Sequence, residues 1–497
     1  MSIMSLQKHQ KSLMVLYLLL ASALRLFRLG YQSEWNDEAL SVVIANGTTT
    51  QIITNQFHSF QPPGYYLLLH YWQSWFGNND SALRLPSAFA GILAIAVMFS
   101  LGKLLLGYKM GLWAALLTAV LPFQVFYSQE LRTYSLLFLF CTITIFSYTK
   151  LWLDGQNVKR RWWFVYAISI TCGMYLHFLF SLIIIALGLF FLLGKLFRNN
   201  LISWHNFILA HVALGIAYLP MIMWLLNQTS QGQYAKLDVS FAGYISLPLA
   251  FTVGYFLPSE LMMAAYAIIL IVVIITILQS IRALYFSKNP TQPLVFILTI
   301  YWIPITLVYL TSLIFQPFTR ARLMMTAVPG LYLLLAWGAV IPKERRVNQF
   351  LLILLIGIAF IANYNFFFVS AYQKVPVRDV VASFVQNQVE PDDTLIYAND
   401  SGFRLFHRYS PSQIHALYWD ENHKLKNNYV LPEVIELTGG YIIEPSDKLT
   451  GQFWLILYQD FDVELQQSIL QHFQERYQQI DYYEQYNIQM YRFQASD

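Results

Sequence analysis

The sequence predicts an all-α membrane protein with many transmembrane helices, followed by a smaller soluble α/β domain. Of the 497 residues, 57% are hydrophobic and only 12% are charged, whereas soluble proteins average about 25% charged residues. The apolar residues form long runs, and about 20 residues of helix suffice to cross a bilayer. Beyond Ala371 the composition turns polar. We therefore expect a membrane domain at 1–371 and a soluble domain at 372–497.

Eleven apolar runs are candidate transmembrane helices. They lie near residues 12–29, 86–106, 110–127, 131–152, 162–180, 181–198, 204–226, 260–285, 294–315, 322–341 and 349–370. Two further apolar segments, 62–77 and 245–257, are short for a full crossing, and 62–77 could be a tilted or re-entrant helix. The sequence thus predicts eleven to thirteen transmembrane helices.

The predicted soluble domain alternates between helical and strand periodicity. Its elements are a helix at 377–388, a strand at 393–398, a buried strand at 453–458, an amphipathic helix at 462–477 and a strand or hairpin at 481–493.

Basic loops set the predicted orientation. Loops rich in Lys and Arg lie near residues 102–109, 159–161, 195–198, 282–288 and 343–346, and the positive-inside rule assigns them to the cytoplasm. The first run follows Lys8 and Lys11 without a small-residue cleavage site, as expected for an uncleaved span. We expect a multi-pass protein of the inner (plasma) membrane, with a cytoplasmic N-terminus and a periplasmic or extracellular soluble domain.

The charge and the cysteines exclude several classes. The net charge is only +4, and Lys and Arg occupy short loops rather than one basic face, so nucleic acid is not an expected partner. Cys141 and Cys172 both fall inside apolar runs, which supports neither a disulfide framework nor a Cys-based metal site.

Three acids follow the first span, on the predicted outer side. Glu34, Asp37 and Glu38 lie within five residues, where a membrane-bound substrate could reach a charged side chain. Acids are also favoured in the first turn of a helix by its exposed N–H groups and its dipole. Local sequence leaves both interpretations open.

Other outward segments offer candidate ligands for a phosphate. Arg132 and Arg322 lie at predicted helix starts near the interface, where long basic side chains can extend toward lipid headgroups. Guanidinium groups also match phosphate oxygens and stay charged. Glu130 could orient Arg132 or form only a surface ion pair, and Tyr134 belongs to the same segment.

The histidines give no metal-binding pattern. No two of His58, His70 and His177 have the i, i+4 spacing of a helix-borne site. We interpret His70 and His177 as hydrogen-bonded core residues, and His58, in the outer loop with Gln61, as a candidate substrate contact. No Gly-rich phosphate loop or Ser-His-Asp arrangement is visible.

The order of these segments resembles the GT-C membrane glycosyltransferases of the protein-mannosyltransferase and aminoarabinose-transferase type. The resemblance covers roughly residues 12–370. It rests on Trp35-Asn36-Asp37-Glu38-Ala39, Gln61-Pro62-Pro63-Gly64-Tyr65-Tyr66-Leu67-Leu68, Phe76-Gly77 with Ala82-Leu83-Arg84-Leu85-Pro86-Ser87-Ala88, and Tyr127-Ser128-Gln129-Glu130-Leu131-Arg132-Thr133-Tyr134.

The resemblance implies GT-C architecture and an inverting sugar transfer. The donor would be a polyprenyl-phosphate-linked monosaccharide, and the acceptor a lipid, glycan or protein at the membrane. Asp37 would be the general base with Glu38 as its partner, and Arg322, seven residues before Pro329, would contact the carrier phosphate. Relatives of the aminoarabinose-transferase type have an acidic metal ligand and a lysine where this chain has Phe60 and Gln61, so we expect no required metal or other cofactor.

Two alternatives belong to other functional classes. A transporter or flippase of lipid-linked sugars would place its acids on a midplane ion path and usually has inverted repeats, whereas here no repeat is visible and the acids crowd the predicted outer face. A non-catalytic relative that binds a partner through its outer domain would keep the same motifs. Asp37→Asn should leave the function of such a relative unchanged.

Overall fold

The computed structural model describes residues 3–57, 59, 61–196, 201–228, 241–286, 291–314, 320–340, 345–419, 432–458 and 463–495. The chain divides into two compact units. Unit 1 comprises residues 1–29 and 84–373, and unit 2 comprises residues 30–83 and 374–497. The segment 30–61, which follows the first apolar run, therefore groups with the C-terminal part of the chain.

The described residues are mostly helical. In chain order the α-helices are α1 (Ile3–Leu26), α2 (Asn36–Asn46), α3 (Thr49–Ile53), α4 (Gly64–Phe76), α5 (Asp80–Leu106), α6 (Tyr108–Val120), α7 (Pro122–Ser128), α8 (Tyr134–Asp154), α9 (Arg160–Leu176), α10 (Ser181–Leu196), α11 (Trp204–Gln228), α12 (Phe241–Ile245), α13 (Leu247–Val253), α14 (Ser259–Phe286), α15 (Thr291–Ile314), α16 (Val328–Gly338), α17 (Arg345–Phe368), α18 (Val377–Gln388), α19 (Asp400–Tyr409), α20 (Pro432–Leu437) and α21 (Val463–Arg476).

Eight helical segments among the described residues are long and apolar enough to cross a membrane. They are Asp80–Leu106, Tyr134–Asn157, Phe178–Leu196, Trp204–Ile222, Ser259–Leu278, Gln292–Leu313, Ala321–Gly338 and Arg345–Phe368. The helices α6 and α7 meet at a bend of 57°, and the pair makes a ninth if it is one broken span. The chain is a multi-span membrane protein, as its composition predicts.

Three of the eleven predicted runs are not among the eight. Run 12–29 contains the shorter apolar helix Ser12–Leu26, run 110–127 contains the bent pair α6 and α7, and run 162–180 contains α9, of 17 residues. The two further segments form short helices. The segment 62–77 contains α4, whose 13 residues extend about 20 Å, less than the roughly 30 Å of a bilayer core. The segment 245–257 contains α13, of only 7 residues. Hydropathy measures the length of an apolar run, but not the turn that interrupts it.

The bend between α6 and α7 explains a buried charge in unit 1. Pro122 has no N–H group to donate to the carbonyl of Thr118, so the helical hydrogen bond is missing there. The fully buried Arg25 of α1 donates instead to Thr118 O at 2.8 Å and to Ala119 O at 2.9 Å. The side chain of Asn363 donates to Val120 O at 2.8 Å. Polar side chains from α1 and α17 thus complete the broken ladder.

The C-terminal part of unit 2 is built on a six-stranded sheet of order β3-β2-β1-β4-β6-β5. The strands are β1 (Thr394–Tyr397), β2 (Ile414–Tyr418), β3 (Tyr441–Ile443), β4 (Gln452–Tyr458), β5 (Gln478–Gln485) and β6 (Ile488–Gln494). The strands β3, β2, β1 and β4 are parallel, and β6 pairs antiparallel with β4 and β5. The predicted strands, the hairpin and the helices α18 and α21 are confirmed.

The N-terminal part of unit 2 is helical and contacts the sheet region. Helix α2 packs against α4 and also against α19, the helix that follows β1. At the end of α2, the carbonyl of Ala45 lies 2.9 Å from His70 Nδ1 and 2.9 Å from Gln73 Nε2, both on α4. Two elements therefore hold α2, one from each part of unit 2.

Candidate functional site

The predicted acidic segment forms the start of helix α2. The helix begins at Asn36, with Asp37 and Glu38 in its first turn, where the exposed backbone N–H groups favour negative charge. Ser41 Oγ donates to the backbone carbonyl of Asp37 at 2.9 Å. The side chain of Asp37 is half-buried and that of Glu38 is fully buried.

Glu38 is held at both the helix start and the C-terminal segment. Its Oε2 lies 2.8 Å from Lys374 Nζ and accepts a hydrogen bond from the Trp35 N–H at 3.3 Å. The hydrogen bond from the Trp35 N–H caps the helix, which is the structural role that the sequence allowed for these acids. The ion pair adds a cation from a residue 336 positions further along the chain.

Two more acids of this region pair with cations from the C-terminal part. Glu34 Oε1 lies 3.0 Å from Arg408, and Asp80 lies 3.0 Å from Arg378 and 3.5 Å from Arg408. We call Glu34, Glu38, Asp80, Lys374, Arg378 and Arg408 the ion-pair cluster. Burial alone would lower the pKa of Arg408, but the nearby carboxylates of Glu34 and Asp80 raise that pKa above its usual value. The arginine is therefore firmly charged.

Sequence reasoning missed four members of the ion-pair cluster: Asp80, Lys374, Arg378 and Arg408. The sequence does contain a group of acids at residues 34–80. It also contains a group of bases in the predicted soluble domain, at Lys374, Arg378, Arg404 and Arg408. However, no sequence pattern shows which acid pairs with which base when the two residues are far apart in the chain.

The loop before α4 is fixed by its own hydrogen bonds. The Ser59 N–H donates to Asn55 Oδ1 at 2.8 Å, and Ser59 Oγ donates to the Tyr66 hydroxyl at 2.9 Å. Helix α4 begins at Gly64, directly after the two prolines, as they predict. The double proline thus fixes where the loop ends.

Gln61 has an unsatisfied acceptor in this loop. Its N–H donates to Ser59 Oγ at 3.2 Å, while its buried Oε1 accepts no hydrogen bond from any described residue. A buried amide oxygen without a donor is uncommon in folded proteins. His58 and Phe60 lie outside the described residues.

A second charged cluster lies within unit 1. The guanidinium carbons of Arg132 and Arg322 lie 5.9 Å and 6.0 Å from the ring centre of Tyr134, so both cations contact one aromatic face or edge. Glu130 lies two residues before Arg132 in the sequence and is buried, with 1% of its surface exposed. We call Glu130, Arg132, Tyr134 and Arg322 the arginine cluster.

Short turns between helices position the arginine cluster. Arg132 lies in the turn between α7 and α8, where its carbonyl accepts a hydrogen bond from Ser87 Oγ at 3.0 Å, and Tyr134 is the first residue of α8. Arg322 lies in a 3-10 helix, Ala321–Ala327, that precedes α16. The sequence prediction that both arginines lie near helix starts is confirmed.

Two histidines have the structural role predicted for them. His70 is bound to the Ala45 carbonyl in unit 2, and the buried His177 of unit 1 accepts a hydrogen bond from the Leu179 N–H at 3.1 Å. His177 also lies within electrostatic reach of both Arg132 and Arg322. Among the described residues, no three His, Cys, Asp or Glu side chains gather as they would around a metal ion.

Comparison with known proteins finds one family and several structures. Residues 60–224 match the family described as dolichyl-phosphate-mannose-protein mannosyltransferase. No curated protein matches the sequence. The structure of ArnT from Cupriavidus metallidurans in the apo state aligns with 96% of this chain and 97% of its own, with a TM-score of 0.61 and 10% identity. ArnT bound to undecaprenyl phosphate aligns over the same shares, with a TM-score of 0.59 and 12% identity.

A further match is the oligosaccharyltransferase of Archaeoglobus fulgidus, tethered with an acceptor peptide. It aligns with 98% of this chain and 74% of its own, with a TM-score of 0.51 and 12% identity. At these identities the structures establish the fold. This chain therefore has an ArnT-like fold with a C-terminal sheet domain. The matched segment 60–224 includes the double-proline and 127–134 motifs, and the predicted resemblance to the GT-C membrane glycosyltransferases is confirmed.

Proposed function

We propose that this chain is a glycosyltransferase that moves a monosaccharide from a polyprenyl-phosphate carrier to a lipid, glycan or protein acceptor. The observation that carries the proposal is the half-buried Asp37 carboxylate in the first turn of α2, in a chain with an ArnT-like fold. The ArnT structure with bound undecaprenyl phosphate supports a carrier of this class. We assign the reaction to the extracytoplasmic face of the inner membrane.

The proposed chemistry is a single displacement at C1 of the sugar. An acceptor hydroxyl forms the new bond to C1 while the bond from C1 to the phosphate oxygen breaks, and Asp37 takes the hydroxyl proton. A positioned general base contributes about 10² to 10⁴ in rate. The product then has the opposite anomeric configuration to the donor.

The leaving group defines the role of the arginine cluster. Negative charge grows on the carrier phosphate as its bond to C1 breaks, and two guanidiniums stabilise that charge better than one. Arg132 and Arg322 contact the phosphate in this scheme, and Glu130 orients Arg132. Tyr134 lies beside both cations.

The remaining candidates contact substrate or hold the base. The buried amide oxygen of Gln61 accepts no hydrogen bond from the described residues, which suits a sugar hydroxyl, and His58 belongs to the same loop. Glu38 is bound to Lys374, so we assign it to positioning its neighbour Asp37 rather than to proton transfer.

The test is sugar transfer by the purified full-length protein. A panel of radiolabelled polyprenyl-phosphate sugars is offered with membrane extract, and Asp37→Asn is compared with Asp392→Asn, an identical change at an exposed acid. We expect transfer by the wild type and the Asp392 variant, and a loss of at least about 10²-fold in the Asp37 variant.

The product's anomeric configuration is a second readout. Retention would contradict the single displacement. Equal activity of Asp37→Asn and the wild type would contradict Asp37 as base. No transfer from any donor, with the fold intact, would favour the non-catalytic relative.

A further inference from the structure

We propose that the C-terminal domain of this protein positions the first turn of helix α2, which carries Asp37, with Lys374, Arg378 and Arg408 as the positioning residues. The inference rests on the proposed function, because it assigns these residues a task only if Asp37 is the base. It gives the sheet domain a role within unit 2, where helix α2 and all three cations lie.

The segment that leads into α2 is bound residue by residue to the start of the C-terminal part. The Lys374 N–H donates to Gln32 Oε1 at 3.1 Å, and the Arg378 N–H donates to Ser33 Oγ at 3.1 Å. The Arg378 guanidinium donates to the carbonyls of Gly30 and Tyr31 at 2.9 Å and 3.0 Å. These four bonds fix the path of the backbone just before Asp37.

A second set of contacts comes from helix α19. Arg408 binds Glu34 Oε1 through Nε at 3.0 Å, and the Glu34 N–H donates to the Tyr409 hydroxyl at 2.7 Å. The Tyr409 hydroxyl donates in turn to Asp80 Oδ2 at 3.2 Å. Helix α19 also packs along α2, so the last turn of α19 fixes the entry to α2.

Lys374 acts on the residue next to the base. The Glu38 side chain is fully buried, and only 15% of the Lys374 side chain is exposed. A buried carboxylate is costly without its cation, so loss of Lys374 forces Glu38 to move or to take up a proton. Either change shifts the first turn of α2, and a shift of about 1 Å in a catalytic group can lower the rate about 10²-fold.

Within unit 2 the opposite end of α2 is held by α4, through the Ala45 carbonyl. The helix is therefore fixed at its start by the C-terminal segment and at its end by α4. Substitutions at Lys374 should loosen the helix from its start, which carries Asp37.

The experiment compares Lys374→Met with Arg492→Met in the full-length protein. Arg492 is a matched control because it also forms a 3.0 Å ion pair, with Asp393, and 18% of its side chain is exposed. It lies in β6, and its partners Asp393 and Trp454 belong to the sheet domain. Lys374→Arg is a second control, because it keeps the positive charge at this position. The readouts are hydrogen exchange of residues 36–46, the thermal midpoint, and kcat and KM for sugar transfer.

The expected result separates positioning from general stability. In Lys374→Met, exchange of residues 36–46 rises about tenfold and kcat falls at least about tenfold, while KM for the donor changes less than twofold. In Lys374→Arg, kcat stays within about threefold of the wild-type value. Arg492→Met lowers the thermal midpoint but keeps exchange of α2 and kcat within about twofold.

Two results would overturn the inference. One is unchanged exchange of residues 36–46 in Lys374→Met, and the other is an equal loss of kcat in Lys374→Met and Arg492→Met. If the wild type transfers no sugar from any donor, the proposed function fails instead. The exchange data then still decide whether Lys374 holds α2.

Discussion

The two charged clusters differ in how their charges are balanced. In the ion-pair cluster of unit 2, three carboxylates face three cations, each within 3.0 Å of a partner. The arginine cluster of unit 1 combines two guanidiniums with one carboxylate, Glu130, around a tyrosine ring.

We propose that this difference separates a cluster that holds the fold from a cluster that binds the donor. Buried ion pairs add little net stability but cost much to break, because removal of one partner leaves the other charge buried. Two guanidiniums beside one ring are instead suited to a ligand that brings negative charge. We therefore expect substitution of Asp80, in the ion-pair cluster, to change stability first, and substitutions in the arginine cluster to change donor binding and rate first.

The largest effect should come from Arg322→Lys. Lysine keeps the charge but loses the planar pair of donors that matches a phosphate, so we expect kcat/KM for the donor to fall about 10²- to 10³-fold. Arg320→Lys, two residues away at an exposed position, is the control and should stay within about twofold. The measurement is steady-state sugar transfer. An equal effect of both substitutions would remove the distinction between the clusters.

Asp80→Asn should be the most destabilising change in unit 2. The substitution removes the carboxylate that Arg378 and Arg408 share, and it should lower the free energy of unfolding by about 3 kcal/mol. Asp379→Asn is the control, because Asp379 also pairs with Arg378 but 69% of its side chain is exposed. That change should have no measurable effect. Urea unfolding in detergent, with donor binding measured on the folded fraction, compares the two.

Acid should weaken unit 2 through His415. Burial lowers the pKa of this ring from 6.5 to about 4, while its hydrogen bond to the Ser410 carbonyl opposes the shift and the charge of His407 adds to it. The unfolded chain binds this proton near pH 6.5 and the folded chain only near pH 4, so stability falls as pH drops between them.

The expected loss from this ring is about 2 kcal/mol at pH 5 relative to neutral pH. Urea unfolding at pH 7 and pH 5 measures it. The variant His415→Gln should show a smaller pH dependence than the wild type. The same dependence in both proteins would assign the effect to other groups.

The smallest effect should come from Tyr134. Tyr134→Leu removes the ring that both arginines contact, a loss of about 1 kcal/mol of cation–π energy, so KM for the donor should rise about fivefold. Tyr134→Phe keeps the ring and should stay near the wild-type value. A loss in Tyr134→Phe as large as in Tyr134→Leu would show that the hydroxyl, not the ring, matters.

Local features of the fold were readable from the chain. The start of α4 follows from Pro62-Pro63, because proline favours the first turn of a helix. The first turn of α2 follows from Asp37 and Glu38. The strands at 394–397 and 452–458 follow from alternating or continuous apolar residues between turns. Each signal lies within a few residues of the element it predicts.

The number of spans and the partners of the acids were not readable in this way. The bend at Pro122 divides one apolar run into two helices, and hydropathy averages over it. Glu34 and Glu38 were visible as acids, but Arg408 and Lys374 lie 374 and 336 residues away.

The sequence by itself determined that this protein crosses a membrane many times and carries a C-terminal α/β domain, because composition and periodicity act over short distances along the chain. The candidate carboxylates and guanidiniums were also visible in the sequence. Only the tertiary structure decided which of them are paired. A salt bridge depends on distances in space, and the fold brings residues 34–80 to residues 374–408 within unit 2 without any local pattern that records the match.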